Sequence, residues 1–362
     1  MNGKILVLPG DGIGVEVTDQ SLKILTAVSK KHNRSFTIEK DIVGGAAIDK
    51  YGKPLKSDTL NKALDSDAIL FGAVGGPKWD DPTIDMRPED SILTLRKELG
   101  LFANIRPIRI YDSLIDKSVI KPEILANVDF IVIRELTGGL YFAKPKRRYA
   151  TKTGEKGVDT LRYSEQEIQR VVTLAFELAQ SRKKKLTSVD KANVLQTSRL
   201  WRDVVKKVAE NYPDVALEHI LVDACAMELI QKPSKFDVIV AENMFGDILT
   251  DEASVLSASM GMLPSVSVKE IPIEGRTTLG LYEPIHGTAP DIAGKGIANP
   301  IAAILSTAFL LRYSLGLTEE AAAVELAVNK VLESGLRTTD IAKDNEQVIT
   351  TEQMGNEIAS LI

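Results

Sequence analysis

The sequence predicts an α/β fold in which helices cover a parallel sheet. Short apolar runs alternate with helical patterns along most of the chain, which is typical of strands joined by helical crossovers. The composition, 44% hydrophobic and 26% charged, is that of a globular protein. A chain of 362 residues is long enough for two domains, each with its own core.

Composition also excludes several classes of protein. The formal net charge of −5 argues against a nucleic-acid-binding surface. No stretch approaches the roughly 20 apolar residues of a membrane span, and the first residues read as a strand rather than a cleavable leader. We therefore expect a cytoplasmic protein with neither nucleic acid nor membrane as partner. The single cysteine, Cys225, lies between alanines on a predicted helix and is expected to be a buried small hydrophobe.

The N-terminal segment predicts a strand at residues 4–8, a glycine turn at 10–14 and an amphipathic helix at 15–29. A dinucleotide-binding fingerprint would need a third glycine where Val15 stands. We therefore interpret the glycine turn as a tight turn, near a cofactor at most, rather than a pyrophosphate cradle. A strand at 68–72 then leads into a glycine-rich loop at 75–80, of the kind found at active sites.

One predicted helix has an unusual face. Helical spacing brings together Glu89, Ile92, Leu93 and Arg96, a mixture of acid, aliphatics and base that is odd for a buried stripe. A ligand would explain this mixture.

Two further arginines lie at the ends of predicted strands. Arg106 sits in a strand-like run, and Arg134 ends the strand at 130–134. The planar fork of arginine binds a carboxylate through two hydrogen bonds, so these two and Arg96 together suggest a substrate with two carboxylates. A single arginine in such a position more often forms a surface ion pair.

The polar, basic residues 144–162 contain little apolar content, and we interpret them as an extended arm or long hairpin that pairs with another subunit. A helix is predicted at 165–181 and a strand at 185–189. Lys191 directly follows that strand, where it is placed for acid–base work or is an ordinary exposed lysine.

Three carboxylates follow neighbouring strands. Asp223 comes after the predicted strand at 217–222, while Asp247 and Asp251 come after the strand at 236–241. Asp247 and Asp251 are four residues apart, so on a helix both point from one face and could hold a hard divalent cation. Acidic pairs at this spacing also commonly line solvated helix faces.

The last informative segment is a long glycine-rich loop at 281–300, which precedes a predicted helix at 301–311. Such a loop could wrap an adenine nucleotide, with Asp291 accepting hydrogen bonds from ribose hydroxyls. His286 has either a role there or a purely structural one. The helix from 318, the turn at 336–340 and the helix from 350 are interpreted as packing elements.

Several long motifs, in order along nearly the whole chain, resemble those of the β-hydroxyacid oxidative decarboxylases, the isocitrate/isopropylmalate dehydrogenase family. The motifs are Asn243-Met-Phe-Gly-Asp-Ile-Leu-Thr-Asp-Glu-Ala253, His286-Gly-Thr-Ala-Pro-Asp291, Leu95-Arg-Lys97 with Asn104-Ile-Arg-Pro107, Arg134-Glu-Leu-Thr-Gly-Gly139 and Val189-Asp-Lys-Ala-Asn193. Thr250 departs from the serine common in the family, but it keeps the hydroxyl.

The resemblance implies a two-domain, non-Rossmann α/β fold with mixed central sheets flanked by helices and a dimer arm. One domain would contain residues 1–101 and 258–362 and most of the NAD site. The other would contain residues 102–257, the dimer interface, the arm and the metal ligands.

The resemblance also implies the site residues of a homodimer with sites shared between subunits. Substrate contacts would come from Glu89, Ile92, Leu93, Arg96, Arg106, Arg134, Asn193 and Asp223. NAD contacts would come from Glu283, His286, Gly287, Thr288, Ala289, Asp291, Ile292 and Asn299. One Mg²⁺ or Mn²⁺ per site would be held by Asp223, Asp247 and Asp251, and the catalytic residues would be Tyr141 and Lys191. Of these, Lys191, Asn193 and Asp223 would reach the site of the neighbouring subunit.

The implied activity is metal-dependent oxidative decarboxylation of a small molecule with reduction of NAD. The aliphatic Ile92 and Leu93 favour 3-isopropylmalate, which would give 4-methyl-2-oxopentanoate and CO₂ in leucine biosynthesis. The alternatives are the same chemistry on isocitrate, homoisocitrate, tartrate or D-malate, and a regulatory subunit of this fold without activity. Against the last, none of the implied arginines, carboxylates and proton-transfer residues is missing.

Overall fold

A computed structural model describes residues 2–79, 81, 86–271, 277–344 and 346–362 of the chain. Asp80, the last residue of the predicted loop at 75–80, lies outside the described residues. Among the helices that are described, none combines the length and the apolar character needed to cross a membrane.

Strands and helices alternate along most of the described chain. The strands are β1 Asn2–Gly10, β2 Ser35–Lys40, β3 Ala68–Ala73, β4 Ala103–Arg109, β5 Asp129–Glu135, β6 Arg147–Thr151, β7 Gly154–Val158, β8 Lys185–Asp190, β9 Ala216–Leu221, β10 Val238–Ala241, β11 Pro264–Val268 and β12 Gly280–Pro284. The helices are α1 Ile13–His32, α2 Gly44–Tyr51, α3 Ser57–Leu64, α4 Asp90–Glu98, α5 Pro122–Leu125, α6 Glu165–Gln180, α7 Gln196–Ala209, α8 Val222–Gln231, α9 Asn243–Ser254, α10 Ile301–Phe309, α11 Thr318–Glu333 and α12 Thr351–Ser360.

The chain divides into two compact units. The first contains the described residues up to Leu101, Ile110–Pro122 and the described residues from Ser254 onward, and the second contains Phe102–Arg109 and Glu123–Ala253. Residues 110–122 belong to the first unit, although the expected division placed them in the central domain. The buried Arg337 helps to hold them there, since its Nη2 donates to the carbonyl of Ser113 at 3.0 Å.

The first unit is built on strands in the order β2-β1-β3-β12-β11. The pairs are parallel except that β11 runs antiparallel to β12. Every residue of β3 is buried, as expected for an apolar strand covered on both faces. The buried face of helix α1 is apolar and includes Val17, Ile24 and Val28.

The second unit is built on strands in the order β4-β5-β10-β8-β9. Here β4 is antiparallel to β5, and the remaining pairs are parallel. Helix α6 begins with a capping box, in which Ser164 and Glu167 satisfy each other's backbone N–H groups. Strands β6 and β7 form an exposed antiparallel hairpin, so the prediction of an arm or hairpin at 144–162 is confirmed as a hairpin.

The predicted α/β class and the mixed sheets implied by the family resemblance are confirmed. The purely parallel sheet predicted from alternation is wrong at β4–β5 and β11–β12, because periodicity carries no information on strand direction. The prediction of one long loop at 281–300 is wrong at its start, where Gly280–Pro284 forms β12 with all five residues buried. Cys225 is fully buried on α8, as predicted, and burial raises the pKa of its thiol to about 12.

The glycine turn after β1 joins three segments of the first unit. Between its glycines, the buried carboxylate of Asp11 accepts hydrogen bonds from the backbone N–H groups of Gly45 at 2.7 Å, Ala46 at 2.8 Å and Gly75 at 3.0 Å. Gly12 has a φ of +55°, and a Cβ on it would lie 2.2 Å from the carbonyl oxygen of Thr288. The turn is therefore shaped for close backbone packing.

We predict that Gly12→Ala destabilises the protein by about 2 kcal/mol or more, because a side chain there combines an unfavourable φ with the clash against Thr288. Urea denaturation measures this change. Gly157→Ala is the matched control, since a Cβ on that exposed β7 glycine meets no atom within 4 Å. Equal stabilities for the two variants would contradict the prediction.

Candidate active site

Two carboxylates project from one face of α9. Strand β10 is buried along its whole length, and α9 begins two residues after it ends. Asp247 and Asp251 lie one helical turn apart on this helix, with side chains 32% and 57% exposed. The predicted placement of both carboxylates after a buried strand is thus confirmed, and both remain accessible to a ligand.

Two buried arginines face these carboxylates from the neighbouring strands. Arg106 lies on β4 and Arg134 on β5, where Arg134 pairs directly with Asn104. Asn104 and Arg106 are two residues apart, so all three side chains leave the same face of the sheet. Arg134 Nη1 donates to Asp247 Oδ1, and Arg106 approaches Asp251 at 3.5 Å and Asp247 at 3.8 Å.

Polar side chains complete the arginine contacts. Asn104 Oδ1 accepts from Arg106 Nε at 2.7 Å, while Asn243 Oδ1 accepts from Arg134 Nε at 3.1 Å and Nη2 at 2.8 Å. Thr250 Oγ1 accepts from Arg106 Nη1 at 2.6 Å. The hydroxyl that Thr250 shares with the serine of the family pattern is therefore the group that contacts the arginine.

Tyr141 joins the same cluster. Its hydroxyl donates to Asp247 Oδ2 at 3.0 Å, and the guanidinium of Arg134 lies 5.5 Å from the centre of its ring. Burial raises the pKa of Tyr141, and the charge of Asp247 raises it further. The phenol therefore keeps its proton at neutral pH and can serve as a donor.

The structure brings Lys191 and Asp223 together at another place in the second unit. Lys191 follows β8, Asp223 lies in the first turn of α8, and Lys191 Nζ is 2.9 Å from Asp223 Oδ1. The hydrogen bond from Lys191 lowers the pKa of Asp223. Asn193 is exposed in the turn between Lys191 and α7. Among the described residues, no three or more His, Cys, Asp or Glu side chains gather as a metal site.

In the first unit, Arg96 is paired with Glu283. Arg96 Nη2 lies 2.8 Å from Glu283 Oε1, and both side chains are 9% exposed. Arg96 Nε is buried with no hydrogen-bond partner among the described residues. A buried guanidinium N–H without a partner is costly, so an anionic ligand would satisfy it.

The helix predicted to choose the substrate is α4. Glu89 is its exposed N-cap, and a Cβ on Gly75 would lie 2.9 Å from the Glu89 carboxylate. Ile92 packs into a hydrophobic cluster with Leu95 and its neighbours, whereas Leu93 is only partly buried. Both Ile92 and Leu93 are predicted to contact a substrate, and Leu93 is the more accessible of the two.

The predicted nucleotide loop rests on the start of α1. Ile292 and Ala289 pack against the cluster of Ile13 and Val17, and the N–H of Ile13 donates to the carbonyl of Thr288 at 2.9 Å. A Cβ on Gly287 would meet nothing within 4 Å, and the exposed Asp291 carboxylate accepts no hydrogen bond from any residue the structure describes.

Two loop side chains have structural partners. His286 Nδ1 lies 2.9 Å from the carbonyl of Gly287, its Nε2 is buried without a described partner, and burial lowers its pKa. Asn299 is buried, with its Oδ1 accepting from Ile301 N at 3.0 Å and its Nδ2 donating to Asp340 at 3.0 Å. Asn299 thus already holds the start of α10.

Sequence reasoning missed two carboxylates that order this region. Asp11 stands between two glycines of a turn, a position typical of side chains that bind backbone N–H groups, so a signal existed. Asp340 was expected to be packing only, yet it accepts from Asn299 and from Thr338 Oγ1 at 2.6 Å. Asn299 lies 41 residues before Asp340 in the sequence, so no local sequence pattern indicates this contact.

A model of the isocitrate/isopropylmalate dehydrogenase family matches residues 4–358, and the chain belongs to this family. It is 58% identical to a 3-isopropylmalate dehydrogenase of Dehalococcoides mccartyi, with both chains covered in full. It is 54% identical to a 3-isopropylmalate dehydrogenase of Bacillus subtilis, covering 100% of this chain and 98% of the other.

Solved structures agree with this family. An isocitrate dehydrogenase from Methylococcus capsulatus superposes with a TM-score of 0.86 at 32% identity, covering 99% of each chain. A β-decarboxylating dehydrogenase from Thermococcus kodakarensis superposes with a TM-score of 0.77 at 34% identity, covering 99% of this chain and 96% of the other.

The donor set on α9 fits a hard divalent cation. Both donors are carboxylate oxygens, the type that Mg²⁺ and Mn²⁺ prefer. Burial raises the pKa of Asp251, Arg106 opposes this, and the like charge of Asp247 adds to it. A bound cation would relieve the repulsion between the two carboxylates.

We predict that Asp247→Asn weakens Mn²⁺ binding at least about tenfold, because it removes a charged oxygen donor while keeping the size of the side chain. Calorimetric titration of the protein with MnCl₂ measures this affinity. Asp159→Asn is the control, since Asp159 is exposed beyond the β6–β7 hairpin. Equal Mn²⁺ affinity in both variants would remove Asp247 from the metal site.

Proposed function

We propose that the protein is an NAD-dependent, metal-dependent dehydrogenase that oxidises 3-isopropylmalate and removes CO₂, giving 4-methyl-2-oxopentanoate for leucine biosynthesis. The observation that supports this most directly is the cluster of Arg106, Arg134, Tyr141, Asp247 and Asp251, which combines carboxylate-binding, metal-binding and proton-donating groups. The full-length identity to relatives named 3-isopropylmalate dehydrogenase supports the choice of substrate.

The arginines would bind the substrate carboxylates. Arg134 and Arg106 are 4% and 7% exposed, and their guanidinium groups are already oriented by asparagine and threonine oxygens. Ordered donors in a dry environment lose little freedom on binding, which favours a dianionic substrate. Arg96, with its unpartnered buried Nε, would provide a further donor.

Asp247 and Asp251, with Asp223 of a neighbouring subunit, would hold Mg²⁺ or Mn²⁺. When bound, such an ion polarises the substrate hydroxyl and then the carbonyl it becomes, which favours loss of both hydride and CO₂. The hydrogen bond from Tyr141 and the ion pair with Arg134 hold the Asp247 carboxylate in one orientation in the absence of that ion.

Two proton transfers would be carried by this chain. Lys191 would take the proton of the substrate hydroxyl, directly or through water, as hydride leaves for NAD. Its ion pair with Asp223 supports this role, because Asp223 is one of the proposed metal ligands. Tyr141, whose raised pKa keeps it protonated, would deliver a proton to the carbon that loses CO₂.

NAD would bind along the loop of the first unit that starts after β12. Its apolar face is anchored on Ile13 and Val17, so the opposite face, with Gly287 and Asp291, is available to a nucleotide. Gly287 leaves room for close approach, and Asp291 offers a carboxylate to ribose hydroxyls while repelling a 2′-phosphate.

We also propose a homodimer in which Lys191, Asn193 and Asp223 complete the site of the other subunit. The exposed apolar side chains Met227 on α8 and Ile248 on α9, each 59% exposed, support an interface on these two helices. The same helices carry Asp223 and Asp247, so an interface there would bring residues of both subunits together.

The substrate assignment is tested by following NADH formation with 3-isopropylmalate, isocitrate and D-malate, each with and without Mn²⁺. We predict that kcat/KM for 3-isopropylmalate exceeds the others by roughly 10- to 100-fold, the range that one aliphatic pocket provides. No turnover is expected without metal. Preference for isocitrate, or turnover with metal chelated, would overturn the assignment.

A matched pair of variants tests whether Leu93 distinguishes 3-isopropylmalate from the other substrates. Leu93→Ala should lower kcat/KM for 3-isopropylmalate while leaving that for D-malate, which lacks the aliphatic group, nearly unchanged. Ile92→Val is its control, because Ile92 packs into the core rather than toward solvent.

The cofactor assignment is tested by Asp291→Lys. We predict that the ratio of kcat/KM with NADP to that with NAD rises at least about tenfold, because repulsion of the 2′-phosphate becomes attraction. The single substitution leaves Ile292 and its packing intact. Asp291→Asn, which removes only the charge, should give an intermediate ratio, and an unchanged ratio in both variants would remove Asp291 from the cofactor site.

A further inference from the structure

Two buried carboxyl groups flank the arginine–aspartate cluster in sequence. Glu135 directly follows Arg134 and is 0% exposed, and Glu242 directly precedes Asn243 and is 5% exposed. Both contact one phenol: the hydroxyl of the buried Tyr163 lies 3.0 Å from Glu135 Oε2 and 3.3 Å from Glu242 Oε2. Neither glutamate takes part in the proposed reaction, so their burial needs another explanation.

The Tyr163 hydroxyl has too few hydrogens to form hydrogen bonds with two ionised carboxylates. The Tyr163 oxygen accepts a hydrogen bond from the backbone N–H of Asn243 at 3.1 Å. The hydroxyl has a single hydrogen, which it can donate to one carboxylate only. If both glutamates were ionised, the second carboxylate would face the phenol oxygen with no hydrogen between them. One additional proton lets Tyr163 donate once and accept twice, so that all three contacts are hydrogen bonds.

The surroundings decide which carboxyl holds that proton. Glu135 accepts from Thr137 N at 2.8 Å, Thr137 Oγ1 at 3.0 Å and Gly138 N at 2.9 Å, and Arg170 Nη2 lies 3.6 Å from its Oε1. Among the described residues, Glu242 accepts from just the backbone N–H groups of Phe245 at 3.0 Å and Met244 at 3.2 Å, besides its contact with Tyr163. The carboxylate with more donors and a nearby cation is the better anion, which is Glu135.

We propose that Glu242 is a neutral positioning residue, protonated on Oε2 and hydrogen-bonded through Tyr163 to the ionised Glu135, and that this triad fixes the start of α9. As a neutral group it caps α9 without adding a negative charge near Asp247 and Asp251. Tyr163 holds Asn243 by its N–H, and Asn243 holds Arg134 by its Oδ1, so the triad orients the guanidinium that binds Asp247.

Two glycines beside the triad make room for the Tyr163 side chain. A Cβ on Gly139 would lie 2.3 Å from the Tyr163 hydroxyl, and one on Gly138 would lie 2.6 Å from the Tyr163 ring. Gly139 also has a φ of +71°, a conformation that favours glycine. The two glycines therefore allow the phenol to reach both carboxyl groups.

The electrostatics agree with this geometry. Burial raises the pKa of Glu242, and the charge of Glu135 raises it further, while its hydrogen bonds lower it. Burial also raises the pKa of Glu135. Among the described residues, the charged or titratable groups that face the pair include Tyr163, Arg170 and Tyr141. The folded-state pKa of Glu242 is raised. The stability that Glu242 contributes is therefore complete at acidic pH and is lost as the pH rises through this folded-state pKa.

The test compares Glu242→Gln with Glu135→Gln. An amide at Glu242 keeps both a donor toward Tyr163 and an acceptor toward Phe245, as the protonated acid does. An amide at Glu135 turns one acceptor oxygen into a donor facing N–H and O–H groups that have no acceptor left. Urea denaturation across pH 5 to 9, without substrate or metal, should therefore show a smaller loss of stability toward alkaline pH in Glu242→Gln than in the unaltered protein.

Infrared spectra of the protein provide a direct readout. The carbonyl stretch of a buried protonated carboxylic acid should be present in the unaltered protein and absent in Glu242→Gln. An unchanged spectrum together with an unchanged pH dependence of stability would overturn the proposal. If Glu242 were instead ionised in the folded protein, Glu242→Gln would be as destabilising as Glu135→Gln at neutral pH. That result would also overturn the proposal.

The effect on catalysis rests on the proposed function and is measured separately. With 3-isopropylmalate, Glu242→Gln should keep kcat/KM within about threefold at neutral pH, whereas Tyr163→Phe, which breaks the triad, should lower it roughly tenfold, as expected for one buried hydrogen bond. Equal losses in both variants would contradict the positioning role. Absence of turnover in the unaltered protein would overturn the proposed function, while the denaturation and infrared results would still decide the triad.

Discussion

Arg106 and Arg134 carry their charges into a part of the second unit from which water is almost excluded, with side chains 8% and 5% exposed. A buried guanidinium must be matched by anions and oriented acceptors, or its desolvation outweighs what it contributes. The matching groups come from α9, whose Asp247, Thr250 and Asp251 all face the arginines. Charge matching therefore fixes the rotation of this helix about its axis.

The same requirement explains why the surrounding polar groups are ordered. Asn104 and Asn243 supply neutral acceptors, which orient the arginines without neutralising them. The asparagines thus fix the directions of the guanidinium groups, while Asp247 and Asp251 supply the opposing charge. In the first unit, the carboxylate that pairs with Arg96 is itself buried, since Glu283 is only 9% exposed, and Arg96 Nε has no described partner. The buried arginines of the two units are therefore held by different sets of partners.

Much of this was predictable from sequence, and the limits have physical causes. The strand before Asp247 and the helix carrying Asp251 follow from local periodicity, as does the amphipathic α1. Strand β12 was missed because its five residues run directly into glycine- and proline-rich sequence, which hides the change of structure. The direction of β4 relative to β5 leaves no trace in hydrophobic pattern.

Pairings over long sequence separations were equally invisible. Arg96 and Glu283 are 187 residues apart, and Glu135 meets Glu242 through a tyrosine in neither motif. Glutamate at a strand end is usually exposed, so burial of both could be recognised only in three dimensions. Family resemblance names residues that act in chemistry, but it does not say which neighbours hold them in place.

The interleaving of the two units along the chain has a consequence for how the protein is made. Strand β3 pairs with both β1 and β12, and α1 is bound to α12 through Lys23 and Asn356, so the first unit needs sequence from both ends of the chain. The residues of the second unit all lie before Ser254 in the chain. During vectorial synthesis its sheet can close before the later strands and helices of the first unit are made, and β1 and α1 then wait with apolar faces uncovered. The segment made first is thus the one whose apolar face stays uncovered longest.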